Sequence, residues 1–136
     1  MAALGLASRR EADAWIEAGW VRVDGRIAVL GERVGADAHI TIDDAALSQQ
    51  ESKVTILLHK PLGVVSGHAE DGHVDAASII DAASYWPRDP SPRRHHANHV
   101  QGLAPAGRLD LDSTGLLVLT QDGRVARRLI GDDHAI

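Results

Sequence analysis

Residues 107–124 read GRLDLDSTGLLVLTQDGR, and they set two kinds of residue directly against each other. Two carboxylates, Asp110 and Asp112, stand beside Arg108, and the apolar run GLLVLT follows at once. A run of that length and composition, bounded by turn residues, predicts a buried strand. Charge placed immediately before it has two readings. The aspartates cap a turn, or one of them is held at the edge of a core to do chemistry. Asp112 suits a turn or cap through local side chain-to-backbone bonds, whereas Asp110 is one acidic residue ahead of a strand. Gly107 and Gly115 permit tight backbone paths around the pair. Arg108 can pair with a phosphate or with a neighbouring carboxylate. Beyond the strand, Asp122 can cap a helix that turns Val125, Ala126, Leu129 and Ile130 inward and stops at Gly131.

Upstream, VTILLHK is a second short apolar run of strand length, broken by Pro61 and Gly63. GVVSG resumes as a strand, and VDAASIIDAAS has helical spacing, with Ile79, Ile80 and Ala83 on one side. WPRDPSPRRHHANH is rich in proline and charge and reads as loop. Within it His95 and His99 are four apart, with His96 beside them. Two histidines at that spacing can ligate zinc, but the prolines argue against a helix and no carboxylate lies close by. A solvated loop is the better reading.

The N-terminal part has its own grammar. Ser8 and Glu11 form the S-x-x-E of a capping box, and Ala12, Trp15 and Ile16 then share one helical face. Gly19 is suited to end that helix. WVRV is a short alternating strand and Asp24-Gly25 a tight turn. ERVGADAHITID reads as a second small strand pair turning at Gly35. AALSQQESK is polar and weakly patterned and reads as a linker. The implied organisation is α+β: a small unit over 1–45, a linker over 46–53 and a second, mixed but mostly antiparallel unit from 54 to 136.

Composition narrows the function classes. The 136 residues suffice for one ordinary domain or two small ones. Cysteine is absent, which excludes disulfides, thiol catalysis and cysteine-ligated zinc, and suits a reducing cytoplasm. No apolar run approaches the roughly 20 residues that cross a bilayer, so no membrane partner is expected. The formal charge of −5 argues mildly against a nucleic-acid partner, but its distribution matters more than its sum. Acidic residues crowd the middle. Basic ones gather at Arg9, Arg10, Arg22 and Arg26, and again at Arg88, Arg93, Arg94 and Arg108. Arginine in the first turn of a helix opposes the helix dipole. Arg9 and Arg10 are therefore a phosphate-binding surface or simply a solvated helix start.

Two resemblances join these observations. LGLASRREADAWIEAGWVRVDGR resembles the small RNA-binding domain named after the fourth small-subunit ribosomal protein, with the usual first helix cut short before Ser8. GRLDLDSTGLLVLTQDG resembles the signature of the pseudouridine synthases. It is most similar to the bacterial ribosomal-RNA group that carries that RNA-binding domain in front. ILLHKPLGVVSG resembles the same group's lysine-proline-glycine segment, with His59 where an asparagine is common. The order of the three segments also matches.

The resemblance implies that Asp110 is the essential catalytic residue, helping to detach uracil from its ribose before the base turns and rejoins through carbon. It implies RNA, most of all large-subunit ribosomal RNA, as partner. Ser8, Arg9, Arg10, Trp20, Arg22, Arg26, Lys60 and Arg108 would then face that RNA. Lys60 is also read as a support for the fold near the site. A uridine in folded RNA must leave its stack to be reached, and Arg108 is placed to fill the vacated space or to hold a phosphate. An isomerisation needs no redox cofactor, metal or nucleotide, in keeping with the lack of GxGxxG and P-loop motifs. In the resembling group the catalytic domain continues past this length, and a base-stacking tyrosine comes from later strands. The single tyrosine here, Tyr85, stands in another segment. The sequence therefore reads as a truncated catalytic domain, inactive alone, whose exposed sheet edges invite self-association. Two other readings compete: a non-catalytic RNA-binding, ribosome-associated module in which Asp110 is structural, and a metal-dependent hydrolase built on the histidines.

Overall fold

The computed structural model describes residues 1–69 and 72–131; the acidic pair Glu70 and Asp71 and the last five residues of the expected second unit lie outside them. The chain divides into two compact units, one over Met1–Lys53 and one from Val54 onward.

In the first unit, helix α1 (Arg9–Glu17) starts with the capping box that the sequence predicts. The Ser8 hydroxyl accepts from the Glu11 N–H and the Glu11 carboxylate accepts from the Ser8 N–H. Gly19 follows the helix at φ +76°, a left-handed conformation that favours glycine. Strand β1 (Val21–Val23) then pairs antiparallel with β2 (Arg26–Ile27) and with β3 (Ile40–Ile42), so it lies in the centre of a three-stranded sheet. Asp24 and Gly25 both adopt positive φ, as a two-residue hairpin turn of the primed type requires. Trp15, Val21, Val23 and Ala12 close over Ala7, Ala28 and Ala46 to make the core.

Two expectations for this unit are corrected. The strand pair read from ERVGADAHITID is one strand, β3, which pairs with β1; residues 32–39 run through turns and irregular chain and add no strand to the outer edge of β3. The stretch read as a linker is helical, α2 (Asp44–Glu51), capped by the Asp43 carboxylate on the Ala45 N–H. Its weak patterning has a cause: it buries a single residue, Ala46.

The second unit is built on a three-stranded antiparallel sheet in which β8 (Gly115–Thr120) lies between β4 (Thr55–Lys60) and β7 (Ala104–Pro105). The register sets Leu58 against Leu117 and Ile56 against Leu119, which gives the sheet one buried face. That face packs on Val64, Ala76, Ile79, Ile80, Leu103 and Leu109. The other face leaves Leu57 and Leu116 68% and 65% exposed. A parallel pair, β5 (Val64–Val65) and β6 (Val74–Asp75), stands beside this sheet in the chain order. The predicted helix in VDAASIIDAAS is only a 3₁₀ turn over Ala76–Ile79. Asp81 and Ser84 bond each other's backbone N–H groups at 2.7 and 2.9 Å, so a separate turn forms where the helix would continue. Helix α3 (Gly123–Ile130) is capped by Asp122 as expected. Its Leu129 and Ile130, expected to face inward, are exposed. No helix among the described residues is long and apolar enough to cross a membrane.

Candidate active site

Asp110 sits in the loop that joins β7 to β8. The loop begins with the Ala106 N–H on the Val118 carbonyl at 2.8 Å, which extends the sheet pairing. It then passes Gly107 at φ +104° and closes with the Ser113 N–H on the Asp110 carbonyl at 3.0 Å. That closing bond is a four-residue turn with aspartate first, a position the residue favours. The Asp110 and Arg108 side chains are both exposed, while Leu109 between them is half-buried in the core. The alternation is the reason charge can abut an apolar strand: one side chain anchors the loop and its two neighbours point to solvent.

The segment after β4 grips this loop from below. The Gly63 N–H donates to the Leu111 carbonyl at 3.0 Å. The Ser66 hydroxyl, on a residue only 2% exposed, accepts from the Leu109 N–H at 2.8 Å and donates to the Leu109 carbonyl at 2.7 Å. Three backbone bonds therefore hold the residues on either side of Asp110.

Lys60 is fully buried, and its ammonium donates to the Pro61 carbonyl at 2.9 Å and the Val64 carbonyl at 2.7 Å. An ammonium spent inside a turn does not reach a phosphate, so its reading as an RNA contact is corrected. Lys60 ties together the turn that carries Gly63 and, beyond it, Ser66. A cleft of about 520 Å³ opens beside the loop, with Ser66, His68, His73, Asp75, Pro105 and Arg108 among its lining residues. Arg108 reaches into it; Asp110 is not part of its wall.

In the first unit, Arg9 and Arg10 are exposed at the start of α1 and Arg22 is exposed on β1, its guanidinium donating to the Gly25 carbonyl at 3.3 Å. The Ser8 hydroxyl is occupied by the cap, and Trp20 is half-buried against the core. Arg26 forms a two-pronged pair with Glu32, at 2.7 and 3.2 Å. Glu32 also accepts from the Val29 N–H, and these bonds hold its carboxyl below the ordinary range, the Arg26 contact foremost. Sequence reasoning missed that partnership; for Glu11 it found the capping box but not the contacts with Gln50 and Lys53. Glu11 is buried and accepts from Ser8, from the Gln50 amide at 3.2 Å and from the Lys53 ammonium.

The histidine-rich loop contains a 3₁₀ turn over Ala97–Val100, and its imidazoles serve it. His96 Nδ1 accepts from the Asn98 N–H and His99 Nδ1 from the His96 N–H, each at 3.2 Å. The Gln121 amide donates to the Asn98, His99 and Gln101 carbonyls and fastens the turn to the end of β8. Among the described residues, no three histidine, aspartate or glutamate side chains converge on a common point that could hold a metal ion.

The profile described as RNA pseudouridylate synthase matches residues 54–131, the stretch that carries both the Lys60 turn and the Asp110 loop. The chain belongs to the RNA pseudouridylate synthase family. Residues 1–40 match the S4 domain. A dual-specificity RNA pseudouridine synthase RluF of Salmonella typhi is 36% identical over 96% of this chain and 40% of its own length. The ribosomal large subunit pseudouridine synthase B of Pseudomonas aeruginosa is 33% identical, over 96% of this chain and 31% of its own. A crystal structure of a pseudouridylate synthase is 23% identical over 93% of this chain and 48% of that one, with a TM-score of 0.45. The chain thus spans less than half the length of these pseudouridine synthases.

Proposed function

We propose that this chain takes part in converting specific uridines of ribosomal RNA to pseudouridine, with large-subunit RNA as the substrate class and Asp110 as the essential carboxylate. The names of its relatives support that class of reaction and substrate. The observation that carries the assignment is the exposed Asp110 carboxylate on a loop whose backbone is fixed at Leu109 and Leu111. A fixed charge needs little reorganisation when it acts, which is what electrostatic or nucleophilic help at a glycosidic bond requires. In the isomerisation the C1′–N1 bond breaks and a C1′–C5 bond forms. C5 gives up a proton and N1 gains one, so atoms and electrons balance without a cofactor.

Arg108, exposed and lining the cleft, suits a phosphate or the space left by an extruded base. Arg9, Arg10 and Arg22 are exposed basic residues of the first unit and are assigned to RNA binding, together with the half-buried Trp20. Arg26 joins them only by exchanging Glu32 for a phosphate. A cytoplasmic location and self-association through the open edge of β4 belong to the same reading.

The test is Asp110→Asn, assayed for release of tritium from C5-labelled ribosomal RNA by the full-length protein. Turnover should fall by at least about 10³-fold, as for removal of an essential group, while RNA affinity stays within twofold. Unchanged turnover would return Asp110 to a structural role and leave an RNA-binding module.

A further inference from the structure

The Asp110 loop is held at three backbone atoms, and two of them belong to one residue and meet one side chain. The Leu109 N–H lies in the peptide that joins Leu109 to Arg108. Its carbonyl lies in the peptide that joins it to Asp110. A hydroxyl is the smallest side-chain group that can accept one bond and donate another, and the Ser66 hydroxyl does both, at 2.8 and 2.7 Å. Ser66 is buried and directly follows β5, so neither water nor a rotamer change competes easily for those bonds. Gly63 holds a peptide one residue further on, the one that joins Leu111 to Asp112, through the Leu111 carbonyl. Lys60 acts one step further away, on the turn itself.

We infer that Ser66 is the positioning residue for Asp110: its hydroxyl fixes the two peptide planes that aim the Arg108 and Asp110 side chains. This rests on the reading of Asp110 given above. Ser66 lines the cleft but bonds the Leu109 backbone and not the Asp110 carboxylate, so its removal should degrade the aim of Asp110 more than it weakens binding. Misplacement of a reacting group by about 1 Å costs on the order of 10²-fold in rate.

The test compares Ser66→Ala, which deletes both bonds, with Ser66→Thr, which keeps the hydroxyl, in the full-length protein. In Ser66→Ala, kcat should fall about 10- to 100-fold, with KM and RNA affinity within threefold of the parent; the thermal midpoint drops, because two bonds to the Leu109 backbone are lost, but the protein stays folded at the assay temperature. Ser66→Thr should keep at least half of the parent kcat. A folded Ser66→Ala with kcat within twofold of the parent overturns the inference, as does a loss confined to KM. If Ser66→Ala does not fold, amide exchange in the parent chain settles the matter. The Leu109 N–H should be protected about 10²-fold or more over a free loop amide, and exchange at the free-loop rate overturns the clamp. Asp110→Asn run in parallel separates the two layers. An inactive Asp110→Asn beside a fully active Ser66→Ala removes the clamp alone, whereas an active Asp110→Asn removes the reading beneath it.

Discussion

Glu11 and Asp110 are carboxylates that stand beside arginines in their respective units, and the protein treats them in opposite ways. Glu11 is buried, and its oxygens receive the Ser8 N–H, the Gln50 amide and the Lys53 ammonium. Its backbone is ordinary helix. Asp110 is exposed with no hydrogen bond to its carboxylate among the described residues, while the backbone around it is held at Leu109 and Leu111. One side chain is consumed by the fold; the other is presented by it. A carboxylate whose acceptors are all occupied stabilises a structure but has nothing left to offer a substrate. A carboxylate whose backbone is fixed and whose oxygens are open can do chemistry on whatever meets it. Fixation of the chain, more than charge or proximity to arginine, is what distinguishes a catalytic candidate here.

That contrast predicts a double dissociation, and its largest effect is on turnover. Asp110→Asn should abolish isomerisation and leave the urea midpoint of the second unit unchanged, because no fold contact is lost. Glu11→Gln keeps most of the cap and should leave turnover intact. If Asp110→Asn lowers stability by as much as it lowers activity, the two carboxylates are not distinct in kind.

The next effect in size falls on Lys60. Replacing it with alanine removes the ammonium bonds to the buried Val64 carbonyl and the partly buried Pro61 carbonyl and leaves a cavity, which should cost about 2–4 kcal/mol in urea denaturation. Lys60→Met fills the space but restores no donor and should recover roughly half of that loss. Equal stability of the methionine variant and the parent would show that the two carbonyl bonds at Lys60 contribute nothing net. Smaller still is Glu11→Ala, which deletes half of the capping box and the partner of a partly exposed Lys53. About 1–2 kcal/mol is expected from denaturant melts of the first unit.

The legible parts of the molecule were those encoded by local rules. Ser8-x-x-Glu11, Asp24-Gly25, the β4 and β8 runs and the Asp122 cap each announce themselves within a few residues, and each is present. The same rules misled where a competing local bond or a tertiary contact prevailed. Asp81 and Ser84 divert a helical pattern into a turn. A single buried alanine suffices to hold α2, and no periodicity could reveal that. Asp110 and Arg108 were proposed for the site through the resemblance, and their exposure on the β7–β8 loop is what the structure adds. Ser66 was not, because a serine in a strand-like stretch carries no signal that its hydroxyl will meet a peptide 43 positions away. The Arg26–Glu32 pair was hidden for a related reason: the partners are six positions apart across the end of β2 and the loop after it, with no helical or strand spacing to suggest contact.

That pair supports the smallest prediction, one that tests which arginines of the first unit are open to a phosphate. Glu32 has its carboxyl lowered by the Arg26 guanidinium and the Val29 N–H. A carboxyl whose folded value is depressed favours the folded arrangement above the ordinary glutamate range. That contribution fades as the pH falls through the depressed value. The pair is exposed at the arginine, so its effect on global stability is slight and is screened by salt. The Glu32 side-chain carbon, followed by NMR, should therefore titrate below a free glutamate, and Arg26→Gln should move it back toward the ordinary value. Added single-stranded RNA makes the sharper measurement. If Arg26 stays with Glu32, the Glu32 midpoint is unmoved by RNA while the resonances of Arg9, Arg10 and Arg22 shift. If RNA raises the Glu32 midpoint, Arg26 has left its carboxylate for a phosphate, and the pair is a reserve of positive charge that the RNA draws on.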